Sequence, residues 1–279
     1  MRKTTGAILC PSCRKLISIS EPTCPFCGRL RPGLWGLTPG LRRVLGGLDP
    51  SAMIAAAAIV LYVIALALDW QAVFRPRGIL NFLAPSRRAL LTLGMTGDVA
   101  WARGHWWTLL SATFLHGGIL HIVFNVYWIR SLGPVVEEIY GSARTFLIFI
   151  LAGAAGFLVS NLLTGAPTIG ASGAIFGLLG ALLAHGRRAG RSLMTAQVWS
   201  QALILFLFGF LMPGVNNYAH GGGFAGGYAA ALLLGAGVRG REGPGTQLLA
   251  IAAVASTLLA VVYSAWTFWP ALFGSHWPR

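Results

Sequence analysis

Seven apolar runs punctuate this chain, more than any soluble fold of its length can hide. They lie at about residues 51–68, 120–137, 144–163, 172–186, 197–212, 218–237 and 247–270. A bilayer core of about 30 Å is crossed by an α-helix of about 20 apolar residues. Backbone N–H and C=O groups find no water there, so each run must satisfy them internally, as a helix. Only 10% of the residues are charged and 56% are hydrophobic, against about 25% charged in soluble domains. The reading is an all-α polytopic membrane protein.

The remaining segments divide the chain. Residues 1–30 are polar, cysteine-bearing and punctuated by proline, and residues 31–50 form a Gly/Pro-rich basic linker. Asp49-Pro50-Ser51 has the form of a helix start, so a membrane domain is expected over residues 51–273. Between the first two runs, residues 69–116 hold Trp70, Trp101, Trp106 and Trp107, a density expected of structure lying in the headgroup zone. The start "MRKTTGAILCPSC" has too short an apolar core, and no small-residue cleavage site, for a secretory signal.

Charge sets the expected orientation. Lys and Arg number 21 against 7 Asp and Glu, a net +14. Arg2, Lys3, Arg14, Lys15, Arg29, Arg31, Arg42 and Arg43 all precede the first run. The 2–3, 4–5 and 6–7 loops carry arginines, whereas the 3–4 and 5–6 loops carry no Lys or Arg. Positive residues mark the cytoplasmic side and favour anionic headgroups, which places the N-terminus inside. The 69–116 segment, with five arginines, departs from the trend; its length weakens the rule there. No aromatic-and-basic platform supports nucleic-acid binding.

With that topology, helices 2, 4 and 6 all enter from the outer side. Their first turns bring His116, His121 and Asn125 ("FLHGGILHIVFN"), Ser172 ("TIGASGAIFG"), and Asn217 and His220 ("NNYAHGGGFAGG") to one depth. One buried serine or histidine usually just bonds a neighbouring helix. Polar groups on three helices in one layer point instead to a functional site. Gly223 and Gly227, offset by one from Gly222 and Gly226, and Gly173 and Gly177 on helix 4, have G-x-x-x-G spacing that permits close backbone approach. Such packing brings Ser172 within reach of His220. No Asp or Glu lies on the outer parts of helices 2, 4 or 6, so the expectation is a Ser172–His220 dyad, with neutral His220 as general base. Asn125 and His121 are candidate oxyanion donors.

These residues resemble the motifs of the rhomboid intramembrane serine proteases, over about residues 51–237. The family's H-x-x-x-x-H-x-x-x-N is matched by His116, His121 and Asn125, its G-x-S-G by Gly170, Ser172 and Gly173, and its A-H-x-x-G-x-x-x-G by Ala219, His220, Gly223 and Gly227. The resemblance implies a rhomboid-like six-helix bundle with a C-terminal seventh transmembrane helix. It implies Ser172 as nucleophile, His220 as base, Asn125 and His121 in the oxyanion region, His116 as structural and Glu137 as a brace. It also implies transmembrane segments of other proteins as substrates, cut near the outer side. With the Ala/Gly/Arg-rich composition, it points to a bacterial inner membrane. Thr108 stands where many members have arginine, and Phe176 where some bacterial members stack a tyrosine on the histidine. A catalytically silent relative that binds membrane proteins is the alternative, although such relatives typically lose the serine or histidine. A transporter would show repeated halves, and no internal repeat is seen.

Cys10, Cys13, Cys24 and Cys27 form two C-x-x-C pairs ten residues apart. Four thiolates in that arrangement are a zinc-ribbon signal. A structural Zn2+ would fold a segment too small for a core of its own, and a reducing cytoplasm disfavours disulfides. Whether the ribbon has a partner is left open. His105, His185 and His276 are given no role.

Overall fold

The computed structural model describes residues 6–10, 13, 15–28, 49–73, 82–235, 242 and 244–273. The linker expected at residues 31–50 lies outside them except for its last two residues, as do all six N-terminal arginines and His276.

Seven long helices occur among the described residues: α1 Pro50–Leu68, α2 Ile119–Tyr140, α3 Ser142–Leu163, α4 Ser172–Arg188, α5 Ser192–Leu211, α6 Asn217–Leu233 and α7 Pro244–Phe273. Five of them, α1, α2, α3, α5 and α7, are long and apolar enough to cross a membrane. At 17 residues each, α4 and α6 are about 26 Å long and sit in the middle of the bundle. Every residue of α4 from Gly173 to Ala184 is buried. At the periphery α5 fully buries only Val198, Ala202 and Gly209, with Met194 and Leu205 packed part-buried against the core and most of its other side chains exposed.

Small residues bring the central helices together. A Cβ on Gly223 would lie 2.1 Å from the Gly173 carbonyl oxygen, and one on Gly227 2.1 Å from that of Gly177. The offset pair serves a different neighbour: Cβ atoms on Gly222 and Gly226 would come within 2.8 Å of Val159 and 2.5 Å of Ala155, both on α3. The two overlapping G-x-x-x-G registers of α6 thus seat it against α4 and α3 at once.

The ends are tied individually. Asp49 caps α1, accepting from the amides of Ser51 (2.8 Å) and Ala52 (3.2 Å), and pairs with Arg130 on α2. Burial alone would raise the Asp49 carboxyl, but the bonds from Ser51 and Arg130 outweigh it and hold the carboxyl below the usual range. Glu137 contacts Ser142 at the α2–α3 corner, and Glu242, in the stretch before α7, accepts from the Arg144 amide (2.8 Å) at the head of α3.

Between α1 and α2 the described chain forms short helical turns at Arg87–Thr92, Asp98–Ala102, Thr108–Ser111 and Ala112–Phe114. Trp70 and Trp106 are exposed. Trp107 faces α7: its indole N–H donates to Ser264 Oγ (3.1 Å) and its ring meets Tyr263 at 4.7 Å. Thr108 is fully buried; its hydroxyl donates to the His105 carbonyl (2.7 Å) and lies 3.1 Å from Thr96 Oγ1. A compact hydroxyl network and the α7 contacts therefore brace this region without an arginine at position 108.

Apart from the bundle, β1 (Ala7–Leu9) and β2 (Leu16–Ser18) pair antiparallel, with Ile8 opposite Ile17 and Leu9 opposite Leu16. Ile17 is buried with Cys10 and Cys24, leaving Leu9 and Leu16 exposed.

Candidate active site

Ser172 is the first residue of α4, just after a turn whose shape depends on Gly170. Gly170 has φ +119, and a Cβ there would lie 2.6 Å from His121 Nε2. Both the backbone conformation and the histidine therefore exclude a side chain. The Gly170 amide donates to the Ala112 carbonyl (2.9 Å), fixing the approach to the serine.

The imidazole of His220, in the first turn of α6, lies beside that serine. Ser172 Oγ is 2.9 Å from His220 Nε2, and His220 Nδ1 is 3.1 Å from Asn217 Oδ1. An amide oxygen only accepts, so Nδ1 carries the proton and Nε2 is left to accept from the serine hydroxyl. Phe176, one turn along α4, stacks on the imidazole with ring centres 4.4 Å apart and planes 18° from parallel. The ring is thus held on both edges and one face. Small residues create the space: a Cβ on Gly209 of α5 would lie 2.2 Å from Asn217 Oδ1, and one on Gly156 of α3 2.4 Å from the Ala219 carbonyl.

The candidate oxyanion residues flank the serine turn on α2. His121 packs against Gly170, and its Nδ1 accepts from the Gly117 amide (3.3 Å). Asn125 is buried; its Nδ2 donates to the His121 carbonyl of its own helix (2.8 Å), while its Oδ1 has no protein partner. His116 is fully buried beside His121, with ring centres 5.0 Å apart, and is 3.2 Å from the Phe114 carbonyl through Nδ1. His185 meets Tyr140 edge-on, and His105 stacks on Trp107; neither lies with Ser172.

Sequence reasoning placed Asn217 in the polar layer without a role. Its position three residues before His220, on the same helix face, was the available signal. Asn216, which caps α6, escaped notice because its partners lie on α3 and in the 3–4 loop.

The four cysteines form a separate cluster. Their Sγ atoms all lie within 4.8 Å of one another, with Cys10–Cys27 and Cys13–Cys24 each 3.7 Å apart. A disulfide needs about 2.05 Å. Four thiolates at about 2.3 Å from one metal sit about 3.8 Å apart on a tetrahedron, so this donor set fits a metal ion. A backbone bond from Lys15 lowers the Cys13 thiol, but burial and the three neighbouring thiols together push it up to about 11.

Comparison with known proteins agrees with this architecture. Residues 103–237 match the family model of the rhomboid domain. Rhomboid protease GluP of Bacillus subtilis (strain 168) is 36% identical over 160 residues, covering 56% of this chain and 31% of that protein. RHOMBOID-like protein 4 of Arabidopsis thaliana is 34% identical over 158 residues, covering 54% of this chain and 40% of that protein. The mitochondrial RHOMBOID-like protein 6 of the same plant is 32% identical over 168 residues, covering 58% and 54%. The chain thus spans between about a third and a half of the length of these relatives. Residues 103–237, from just before the Thr108–Ser111 turn through α6, therefore carry a rhomboid domain.

Proposed function

We propose that this chain is an intramembrane serine endopeptidase that cuts transmembrane segments of other proteins. The observation that carries the reading is the 2.9 Å approach of Ser172 Oγ to a His220 Nε2 whose ring is oriented by Asn217 and Phe176. Ser172 Oγ attacks the peptide carbonyl carbon as its proton passes to Nε2. The tetrahedral oxyanion faces the first-turn amides of α4, which have no intrahelical acceptor, and the His121 and Asn125 side of the pocket. A well-aimed donor there lowers the barrier by about 3 kcal/mol. The proton on Nε2 then goes to the leaving amine, and water attacks the acyl-serine by the same route in reverse. An intact substrate helix has its carbonyls bonded internally, so the segment must unwind locally to be cut.

In this reading the N-terminus is cytoplasmic, the serine lies near the outer face, and the membrane is a bacterial inner membrane. Cleavage of a single-span model substrate by the protein in lipid vesicles tests the assignment: Ser172→Ala should abolish it at unchanged expression. Retained cleavage removes Ser172 as nucleophile. Binding of substrate without cleavage by the wild type favours the silent-relative reading.

The second part of the proposal is one structural Zn2+ held by Cys10, Cys13, Cys24 and Cys27, remote from catalysis. It would replace the core that a segment of this size lacks. Metal analysis should find one zinc per chain, and chelation should release it with faster amide exchange across residues 6–28. Equal, substoichiometric zinc in wild type and Cys24→Ser contradicts the site.

A further inference from the structure

Asn216 makes three hydrogen bonds with one side chain, and they join three elements. Its Oδ1 accepts from the Ala219 amide (3.2 Å), capping α6. Its Nδ2 donates to Ser160 Oγ (2.6 Å), in the last turn of α3, and to Thr168 Oγ1 (3.0 Å), in the loop that leads into α4. Ser160 is fully buried and Thr168 nearly so. The loop is also fixed from its other side: the Thr168 amide donates to the Thr96 carbonyl (2.9 Å), and Thr96 Oγ1 accepts from Asn161 Nδ2 (2.9 Å). Thr168 lies four positions before Ser172, and Asn216 four positions before His220. The clamp therefore sits about one turn from each reacting group.

Capping alone does not account for asparagine at this position, since serine, threonine and aspartate cap about as well. Among good caps, only asparagine adds two N–H donors to the capping oxygen. The capping bond also fixes which way the amide points, so the two donors must face Ser160 and Thr168.

We propose that Asn216 is a positioning residue that holds Ser172 and His220 at hydrogen-bonding separation by clamping the head of α6 to the loop entering α4. The inference rests on the catalytic reading above. It adds that the register between the two helices is set by this side chain as well as by the glycine seam. Asn216→Ser keeps a capping oxygen but is too short to reach Ser160 and Thr168. Ser160→Ala removes the nearer acceptor instead and leaves the Thr168 hydroxyl, with its bond to the Ala166 carbonyl, in place.

The rate of fluorophosphonate reaction at Ser172 is measured for wild type, each variant and their combination, in lipid vesicles. Asn216→Ser should slow the reaction about tenfold and lower kcat for a model substrate at unchanged KM. Its thermal midpoint should stay within about 3 °C of wild type, because the cap is kept. The combined variant should react no more slowly than Asn216→Ser, as expected when the changes break one link. A wild-type rate for Asn216→Ser, or effects that multiply, overturns the clamp. If wild-type Ser172 does not react at all, the catalytic reading fails, and the clamp is still read by amide exchange. Asn216→Ser should then speed exchange across residues 164–172, and unchanged exchange there overturns it.

Discussion

The seam between α4 and α6 and the contact that α5 makes with the same two helices are built on opposite plans. Across the seam, glycines 173, 177, 223 and 227 bring backbone onto backbone, and neither side can yield. Along α5, exposed Leu203, Ile204, Leu207 and Phe210 face outward, and the inner side buries only Val198, Ala202 and Gly209. The difference shows how two polar side chains on two helices, Ser172 and His220, are kept in register. Backbone-to-backbone packing is concentrated in the pair that carries the serine and the histidine. By contrast, α5 meets the site through Phe206, edge-on to Phe176 at 6.4 Å, and at Gly209, where a missing side chain leaves room for Asn217.

The sharpest way to break this comparison is to place one methyl on each plan. Gly223→Ala sets a Cβ 2.1 Å from the Gly173 carbonyl oxygen. It should destabilise the protein by about 3 kcal/mol and slow Ser172 labelling more than a hundredfold, read by thermal unfolding and probe kinetics. Leu203→Ala, on an exposed α5 position, should change stability by less than about 0.5 kcal/mol. Similar losses from both would mean the seam is not the rigid element.

Gly209→Ala should show an intermediate pattern. The added Cβ meets the end of the Asn217 side chain at 2.2 Å rather than backbone, so the amide can move aside. Labelling should fall about tenfold as His220 loses its orienting partner, with the thermal midpoint nearly unchanged. A matching loss of stability would make α5 part of the packed core.

The smallest effect is expected far from the seam, at the head of α1. Asp49→Ala should cost about 1 kcal/mol through the lost cap, the exposed pair with Arg130 adding little. Because the folded carboxyl titrates below its unfolded value, this contribution is full above the unfolded value and fades as pH falls through the folded one. Thermal scans of both proteins should therefore converge at acid pH; a gap that widens on acidification contradicts the assignment.

Much of the architecture was legible in the sequence. Long apolar runs admit only helices, and small residues spaced four apart declare where backbones meet, so the membrane bundle could be read directly; its rhomboid character came from the resemblance of the motifs around Ser172, His220 and Asn125. Ser172 and His220 stood out as candidates because polar groups are rare at that depth. Less legible were the bonds that cross from helix to loop. Asn216 and Thr168 are 48 residues apart, and no periodicity links them. The bracing of Trp107 by Ser264 spans 157 residues and depends on how α7 docks, which composition does not encode. Hydropathy marked α4 as short through its 172–186 run, but it did not reveal that α6 is equally short, because the α6 run continued to residue 237.

The central claim is that Ser172 is a nucleophile activated by His220. The most direct test is the intact mass of the protein after reaction with a fluorophosphonate in lipid vesicles. The account predicts a single adduct, mapped to Ser172, that is lost in Ser172→Ala and in His220→Ala. An unmodified wild-type protein, or equal modification of His220→Ala, would contradict it.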